Sequence, residues 1–316
     1  MQRKVVILGT GGTIAGAAAQ AGDDLSYVAG QRSVQDLVAG VPALKAEWAL
    51  LELEQVAQVD SKDMSHAIWQ QLAQRAAHHL ARPEVQGVVV THGTDTLEET
   101  AWFLHRVLGP QKPLVLTAAM RPVTSLQPDG PQNLLDAVTV VRHGEACGVL
   151  VVLAGAIHTA LAVRKRHPWR VDAFDSGDAG ALGWVEAGQL RMQRVWPSSP
   201  GQGLPLIAAQ PSTWPDVQVL TSHAGASATV VDVLSQAGVL GLVVAGTGNG
   251  SIHVELDAAL HRAHAAGVSI WRTTRCPEGR VVGNPQGAWP VLALPQAKAR
   301  VEAMLRLMGA AADVGD

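Results

Sequence analysis

The sequence predicts an α/β protein: a doubly wound, mostly parallel sheet in a large N-terminal domain, followed by a second, smaller α/β C-terminal domain. Short apolar runs alternate with segments of helical pattern along most of the chain. Two of these runs end in glycine turns that lead into helices, Gly9–Gly16 and Thr91–Thr100. A stretch rich in proline, glycine and serine between Trp196 and Pro215 interrupts the alternation before it resumes. These features divide the chain into an N-terminal α/β domain over residues 1–190, a linker over 191–212 and a smaller C-terminal α/β domain over 213–316.

In order, Val5–Leu8 predicts a strand, Val34–Val41 a helix and Leu50–Val59 a second strand. Met64–Leu80 predicts a long helix, with Ser61 or Asp63 placed to cap its start. Gly87–Thr91, Leu114–Ala118 and Gly148–Leu153 are apolar runs of the kind buried on both faces in parallel sheets. Leu97–Leu108 and Pro131–Arg142 predict the intervening helices. In the second domain, strands are expected at Val217–Leu220, Gly241–Ala245 and Ser269–Arg272. Helices are expected at Ser227–Ala237, Val254–Ala266 and Pro295–Met308.

Composition narrows the function classes. Lys+Arg 24 against Asp+Glu 27 gives a net charge of -3, with no basic stripe of the kind that binds nucleic acid. No apolar run reaches membrane-spanning length. A strand begins within a few residues of Met1, leaving no room for a secretory leader. Cys147 and Cys276 lack metal or redox spacing and are expected to be buried thiols. Together these features predict a cytoplasmic protein. His78-His79 and the pair His261/His264 lack the spacing of a zinc site and are expected at helix surfaces, so no metal is implied. Neither glycine turn completes a dinucleotide fingerprint or a P-loop, although a nucleotide-binding α/β module stays open as a remote alternative.

The turns present hydroxyls and a carboxylate: Thr13, Thr94 and Asp95. Thr13 and Asp95 each fit a helix cap, a role worth about 1 kcal/mol. Each also fits nucleophilic chemistry on a small polar substrate, where a hydroxyl needs a base within hydrogen-bond reach. Tyr27 is the one tyrosine of the chain and follows Ala17–Asp24, a small and polar segment that reads as a lid.

Thr10-Gly-Gly-Thr-Ile-Ala-Gly16 and His92-Gly-Thr-Asp-Thr-Leu-Glu-Glu-Thr100 resemble, without substitution, the two signatures of the bacterial-type asparaginase/glutaminase family. Further matches are Asp60–Met64, Ala119–Pro122, Asp129–Pro131, Gly246–Gly250 and Arg275–Gly279. The resemblance implies hydrolysis of the side-chain amide of L-asparagine to L-aspartate and ammonia through a threonyl ester, with a glutaminase-asparaginase or another small-amide hydrolase as the alternative. It implies no cofactor. It also implies a homo-oligomer, dimer or tetramer, with sites at a dimer interface.

By the same resemblance, Thr13 is the nucleophile and Tyr27 its partner on the lid. Thr94, Asp95 and Lys165 form a second triad. Ser61 contacts the substrate α-carboxylate, Asp95 its ammonium group, and Asn249 matches a residue lent across the interface. Two departures stand out. Lys62 occupies a position near the substrate ammonium where many members carry glutamine or glutamate. The loop Arg280–Gly287 is shorter than in periplasmic members and holds no acid past Glu278. Weak ammonium binding is the expected consequence.

Overall fold

The computed structural model describes residues 3–198, 200–283 and 289–313. Positions 284–287 of the loop after Arg280 therefore lie outside the described residues. The chain forms two compact units, Met1–Pro205 and Leu206–Asp316.

The first unit opens with β1 (Lys4–Gly11), buried from Val5 onward. A hairpin of β2 (Ala17–Ala18) and β3 (Tyr27–Val28) follows. Next come α1 (Val34–Ala39), held by a Ser33–Asp36 capping box, and α2 (Pro42–Ala46), with proline in its first turn. After β4 (Leu51–Val59) come α3 (His66–Leu80), β5 (Val85–Thr91), α4 (Leu97–Leu108), β6 (Pro113–Thr117), α5 (Gly130–Arg142) and β7 (Gly148–Leu153). The unit continues with β8 (Ala156–Thr159), the two-residue strands β9 (Arg164–Lys165) and β10 (Phe174–Asp175), then β11 (Gly183–Glu186) and β12 (Gln189–Met192).

Eight strands make one sheet in the order β12-β11-β8-β7-β6-β5-β1-β4. The block from β7 to β4 is parallel and the other three strands run antiparallel. That edge comes from two tight hairpins. Ala154 and Gly155 turn at φ 48 and 73, and Ala187 and Gly188 at φ 49 and 76. Two consecutive positive-φ residues give the twist that joins adjacent antiparallel strands. The main core packs Val5, Ile7, Val89, Val115, Leu150 and Val152 from the strands against Leu134, Val138 and Val141 of α5.

The second unit is a three-stranded parallel sheet, with β13 (Val217–Thr221), β14 (Gly241–Gly246) and β15 (Ser269–Thr274) in that order. Helices α6 (Thr229–Gln236) and α7 (Val254–Ala265) pack on each other, and α8 (Gln296–Asp313) packs along β13 and β14.

Several expectations need correction. α3 starts at His66, not Met64, and its cap is Ser65, whose Oγ accepts the Ile68 N–H. Ser61 and Asp63 belong instead to a separate 3₁₀ turn, capped by Asp60 and ended by the extended Met64. Cys276 is exposed and Cys147 half-buried, both as free thiols. His79 is buried on α3, its Nε2 2.7 Å from Glu54 of β4 and its Nδ1 3.0 Å from Arg82. Hydrogen bonds to Glu54 of the edge strand and to Arg82 satisfy both ring nitrogens and let this histidine be buried on its helix face.

Candidate active site

Strand order places the chemistry. From β1 the chain passes to β4 on one side, then crosses to β5 on the other and continues outward through β6 and β7. The order reverses beside β1, and ligands of open α/β sheets bind at the carboxyl ends of strands at such a switch point. Both signature turns leave the sheet here, after β1 and after β5, which are paired with Gly9 opposite Thr91. Thr10 Oγ1 donates to the Thr91 carbonyl at 2.9 Å, a buried tie between the two strand ends.

The turns touch through glycine. Gly11 and Gly12 hold φ of 100 and 80, a region that L side chains rarely adopt. A Cβ on Gly12 would stand 2.3 Å from the Gly93 backbone, and one on Gly93 would stand 2.4 Å from Ser61 Oγ. Backbone on backbone contact is what brings the three segments together.

Thr13 starts a short 3₁₀ turn and caps nothing; Gly12 holds the cap position. Its hydroxyl lies 2.7 Å from the Tyr27 hydroxyl. Tyr27 reaches it from β3, its ring lying where a Cβ on Gly16 would be 2.7 Å from the ring edge. The hairpin that carries Tyr27 is fastened to the loop after β6. Ala18 N–H donates to Thr124 Oγ1, and Gly22 N–H to the Thr124 carbonyl, both at 2.9 Å.

The second cluster sits beside it. Lys165 Nζ donates to Thr94 Oγ1 at 2.9 Å and to Asp95 Oδ1 at 2.7 Å. Asp95 makes no side-chain cap; Thr96 occupies the cap position of α4. The Asp95 N–H instead donates to Ser61 Oγ at 3.1 Å, and Thr96 Oγ1 donates to the Ser61 carbonyl at 2.8 Å. Ser61 is buried, with its hydroxyl hydrogen still available to a ligand.

Two supports, one of the second turn and one of the loop after β6, go beyond the residues singled out from the sequence. Trp69 Nε1–H donates to Thr100 Oγ1 at 2.8 Å, and Thr100 Oγ1 lies 3.0 Å from His92 Nε2. The Gly93 carbonyl, 2.7 Å from His92 Nδ1, can only accept, so the imidazole proton is on Nδ1. In the neutral ring Nε2 then accepts the Thr100 hydroxyl hydrogen. Burial pushes the His92 pKa down to about 4, against a smaller upward pull from that carbonyl, so the ring is neutral. In the loop after β6, the Asp129 carboxylate accepts the Met120 and Arg121 N–H groups at 3.0 and 2.9 Å and so ties the Asp129–Pro131 and Ala119–Pro122 segments together. The signal for both was present as signature residues to which no chemistry had been attached.

Two family models cover nearly the whole chain: "Asparaginase, N-terminal" over residues 4–197 and "Glutaminase/Asparaginase C-terminal domain" over residues 216–311. The chain belongs to the asparaginase family. It is 37% identical over 280 residues to glutaminase-asparaginase of Pseudomonas fluorescens biotype A, covering 88% of this chain and 77% of that one. It is 36% identical over 307 residues to L-asparaginase 2 of Bacillus subtilis, covering 95% and 81%. The crystal structure of a probable cytoplasmic L-asparaginase from Campylobacter jejuni superposes with a TM-score of 0.89 at 35% identity, covering 96% of this chain and 95% of that one.

Within this asparaginase-family chain, two of the expected ligands have local partners. Lys62 Nζ bonds Asp60 at 2.9 Å and Asp63 at 3.1 Å, on an exposed side chain. These carboxylates hold the Lys62 ammonium above its ordinary pKa and compensate its charge. Asn249 spends both ends of its amide on one residue: Nδ2 donates to the Val282 carbonyl at 2.9 Å and Oδ1 accepts the Val282 N–H at 2.7 Å.

Proposed function

We propose that this chain hydrolyses the side-chain amide of L-asparagine through an ester on Thr13, with Tyr27, Thr94, Asp95 and Lys165 as its catalytic partners. One observation carries the reading. Two threonine hydroxyls leave the ends of neighbouring strands, one hydrogen-bonded to a phenol and the other to an ammonium–carboxylate pair.

In the first step Thr13 Oγ1 bonds to the amide carbon, and its proton passes by way of the Tyr27 hydroxyl to the leaving nitrogen. Ammonia departs and leaves an aspartyl ester. In the second step water attacks that ester, oriented by Thr94 with Lys165 and Asp95 behind it, and the proton it gives up restores the Thr13 hydroxyl. The sum is amide plus water to carboxylate plus ammonium, the ammonia having taken up the proton that the new acid releases. The backbone N–H groups of the glycine turns are the natural donors to the oxyanion. Ser61 serves the substrate carboxylate, and Asp95 its ammonium group, by charge-assisted hydrogen bonds.

Relatives of similar identity carry both the L-asparaginase and the glutaminase-asparaginase names. The ratio of kcat/KM for asparagine and glutamine, read by coupled ammonia release, decides between the two. No ammonia from either amide would end the proposal. We also place the enzyme in the cytoplasm as a homo-oligomer. The first assignment is supported by its free thiols and by the structural neighbour described as probably cytoplasmic; a relative from Haemophilus influenzae is named as periplasmic. Light scattering on the purified chain tests the second.

A further inference from the structure

We infer that Glu98 is the residue that positions Lys165, by holding the main chain of the lysine rather than its charge. The inference rests on the reading of Lys165 given above.

Lys165 lies outside the main sheet. Its strand, β9, has two residues and pairs with the two residues of β10 in a separate ribbon, which the Arg166 N–H extends by donating to the Ala173 carbonyl at 2.7 Å. Isolated two-stranded ribbons are marginal by themselves. Yet the lysine ammonium must sit within hydrogen-bond reach of two atoms on another segment, and catalytic groups need placement to roughly 0.5 Å. A side chain with four rotatable bonds meets that tolerance only where the backbone that carries it is fixed as well.

The Glu98 carboxylate supplies a second point of attachment. Its Oε2 accepts the Lys165 N–H at 3.0 Å, across 67 residues of sequence. Lys165 faces Phe174 in the ribbon, while Arg164 pairs with Asp175 through backbone register and through Nε to Oδ1 at 2.7 Å. Glu98 lies in the first turn of α4, where a carboxylate is favoured by the helix dipole. The same turn is locked by the fully buried Leu97, Thr100 and Ala101. Thr94 and Asp95 immediately precede that helix. One rigid helix start therefore sets both ends of the lysine: its backbone through Glu98, and its ammonium through Thr94 and Asp95.

A hydrogen-bond clamp needs an acceptor oxygen and not a charge, which separates it from an electrostatic role. Glu98→Gln keeps the acceptor, and Glu98→Ala removes it. The expected result for Glu98→Ala is a loss in kcat for asparagine of roughly ten- to a hundredfold, the scale of a catalytic group displaced by about 1 Å, with KM within about twofold of wild type. Glu98→Gln should restore kcat to within about threefold of wild type. In a Lys165→Ala background, Glu98→Ala should cost nothing further. Thermal melting of each protein establishes that it folds; should Glu98→Ala fail, Glu98→Asp, one methylene short of the lysine N–H, replaces it in the comparison. Wild-type kcat in Glu98→Ala, Glu98→Gln as impaired as Glu98→Ala, or additive losses in the double variant each overturn the assignment. An active Lys165→Ala enzyme overturns the reading of Lys165 itself, and this one with it.

Discussion

Gly93→Ala tests the geometry of the site with the smallest possible perturbation, one methyl group. The added Cβ would lie 2.4 Å from Ser61 Oγ, 2.7 Å from Ser61 Cβ and 3.0 Å from the Gly12 Cα. Ordinary contact begins near 3.4 Å, so Ser61 and the turn must separate by about 1 Å. Ser61 is 2% exposed and has no room to retreat. Rotating its hydroxyl away breaks the bond from the Asp95 N–H. Overpacking of this kind costs about 1–3 kcal/mol of stability. The larger effect falls on rate, because Thr94 and Asp95 ride on the displaced turn; about 1 Å of misplacement corresponds to roughly a hundredfold. The assay is ammonia release from asparagine with a thermal melt of the same sample. Gly144→Ala, with nothing within 4 Å of the new methyl, is the control and should match wild type. A Gly93→Ala enzyme within about threefold of wild-type kcat/KM would refute the close contact of the two turns.

Thr13→Ala and Thr94→Val should each lower turnover by roughly a thousandfold or more with an unchanged circular dichroism spectrum, since the groups act as a unit. Retention of more than about a tenth of activity by Thr13→Ala would remove it as nucleophile. Tyr27→Phe should lower kcat more than it raises KM, because the ring still packs at Gly16 while the hydroxyl 2.7 Å from Thr13 is gone. Unchanged constants would sink that role. Burial holds His92 neutral in the fold, with its pKa pushed down to about 4 from the ordinary 6.5 of a histidine. The unfolded chain therefore binds the extra proton first. The stability His92 contributes is complete above about pH 6.5 and is lost as pH falls toward about 4, a change of roughly 3 kcal/mol. The gap in thermal midpoint between wild type and His92→Gln should narrow over that window; a constant gap would contradict a histidine held neutral by burial.

Much of the parallel core was legible because its signals are local. Val5–Leu8, Val88–Val90 and Gly148–Leu153 are β-branched runs that admit few other readings. The antiparallel edge was not. Its two hairpins turn on Ala154-Gly155 and Ala187-Gly188, where alanine takes the positive φ that asparagine or aspartate usually signals. Among the candidate residues, the motifs in the sequence singled out Thr13, Thr94, Asp95 and Lys165, which the structure brings into two hydrogen-bonded groups, but not what holds them. The Trp69–Thr100–His92 chain joins α3 to the second turn across 31 residues, and such contacts leave no periodic trace. Lys62 illustrates the opposite case: its neighbours Asp60 and Asp63 were visible in sequence, yet only their geometry reveals that they take up its charge.

The pairing of β1 with β5 has a consequence for how the enzyme can vary. Thr13 and Thr94 project from adjacent strands whose separation, about 4.8 Å, is fixed by main-chain hydrogen bonds. The sheet thus acts as a gauge block for a two-step reaction, and the gauge is read in residues counted past Gly9 and Thr91 rather than in side-chain volumes. Repacking the core with other aliphatic groups leaves that count untouched. Deleting or inserting one residue in either turn miscounts it, and no compensating substitution elsewhere in the core restores the alignment.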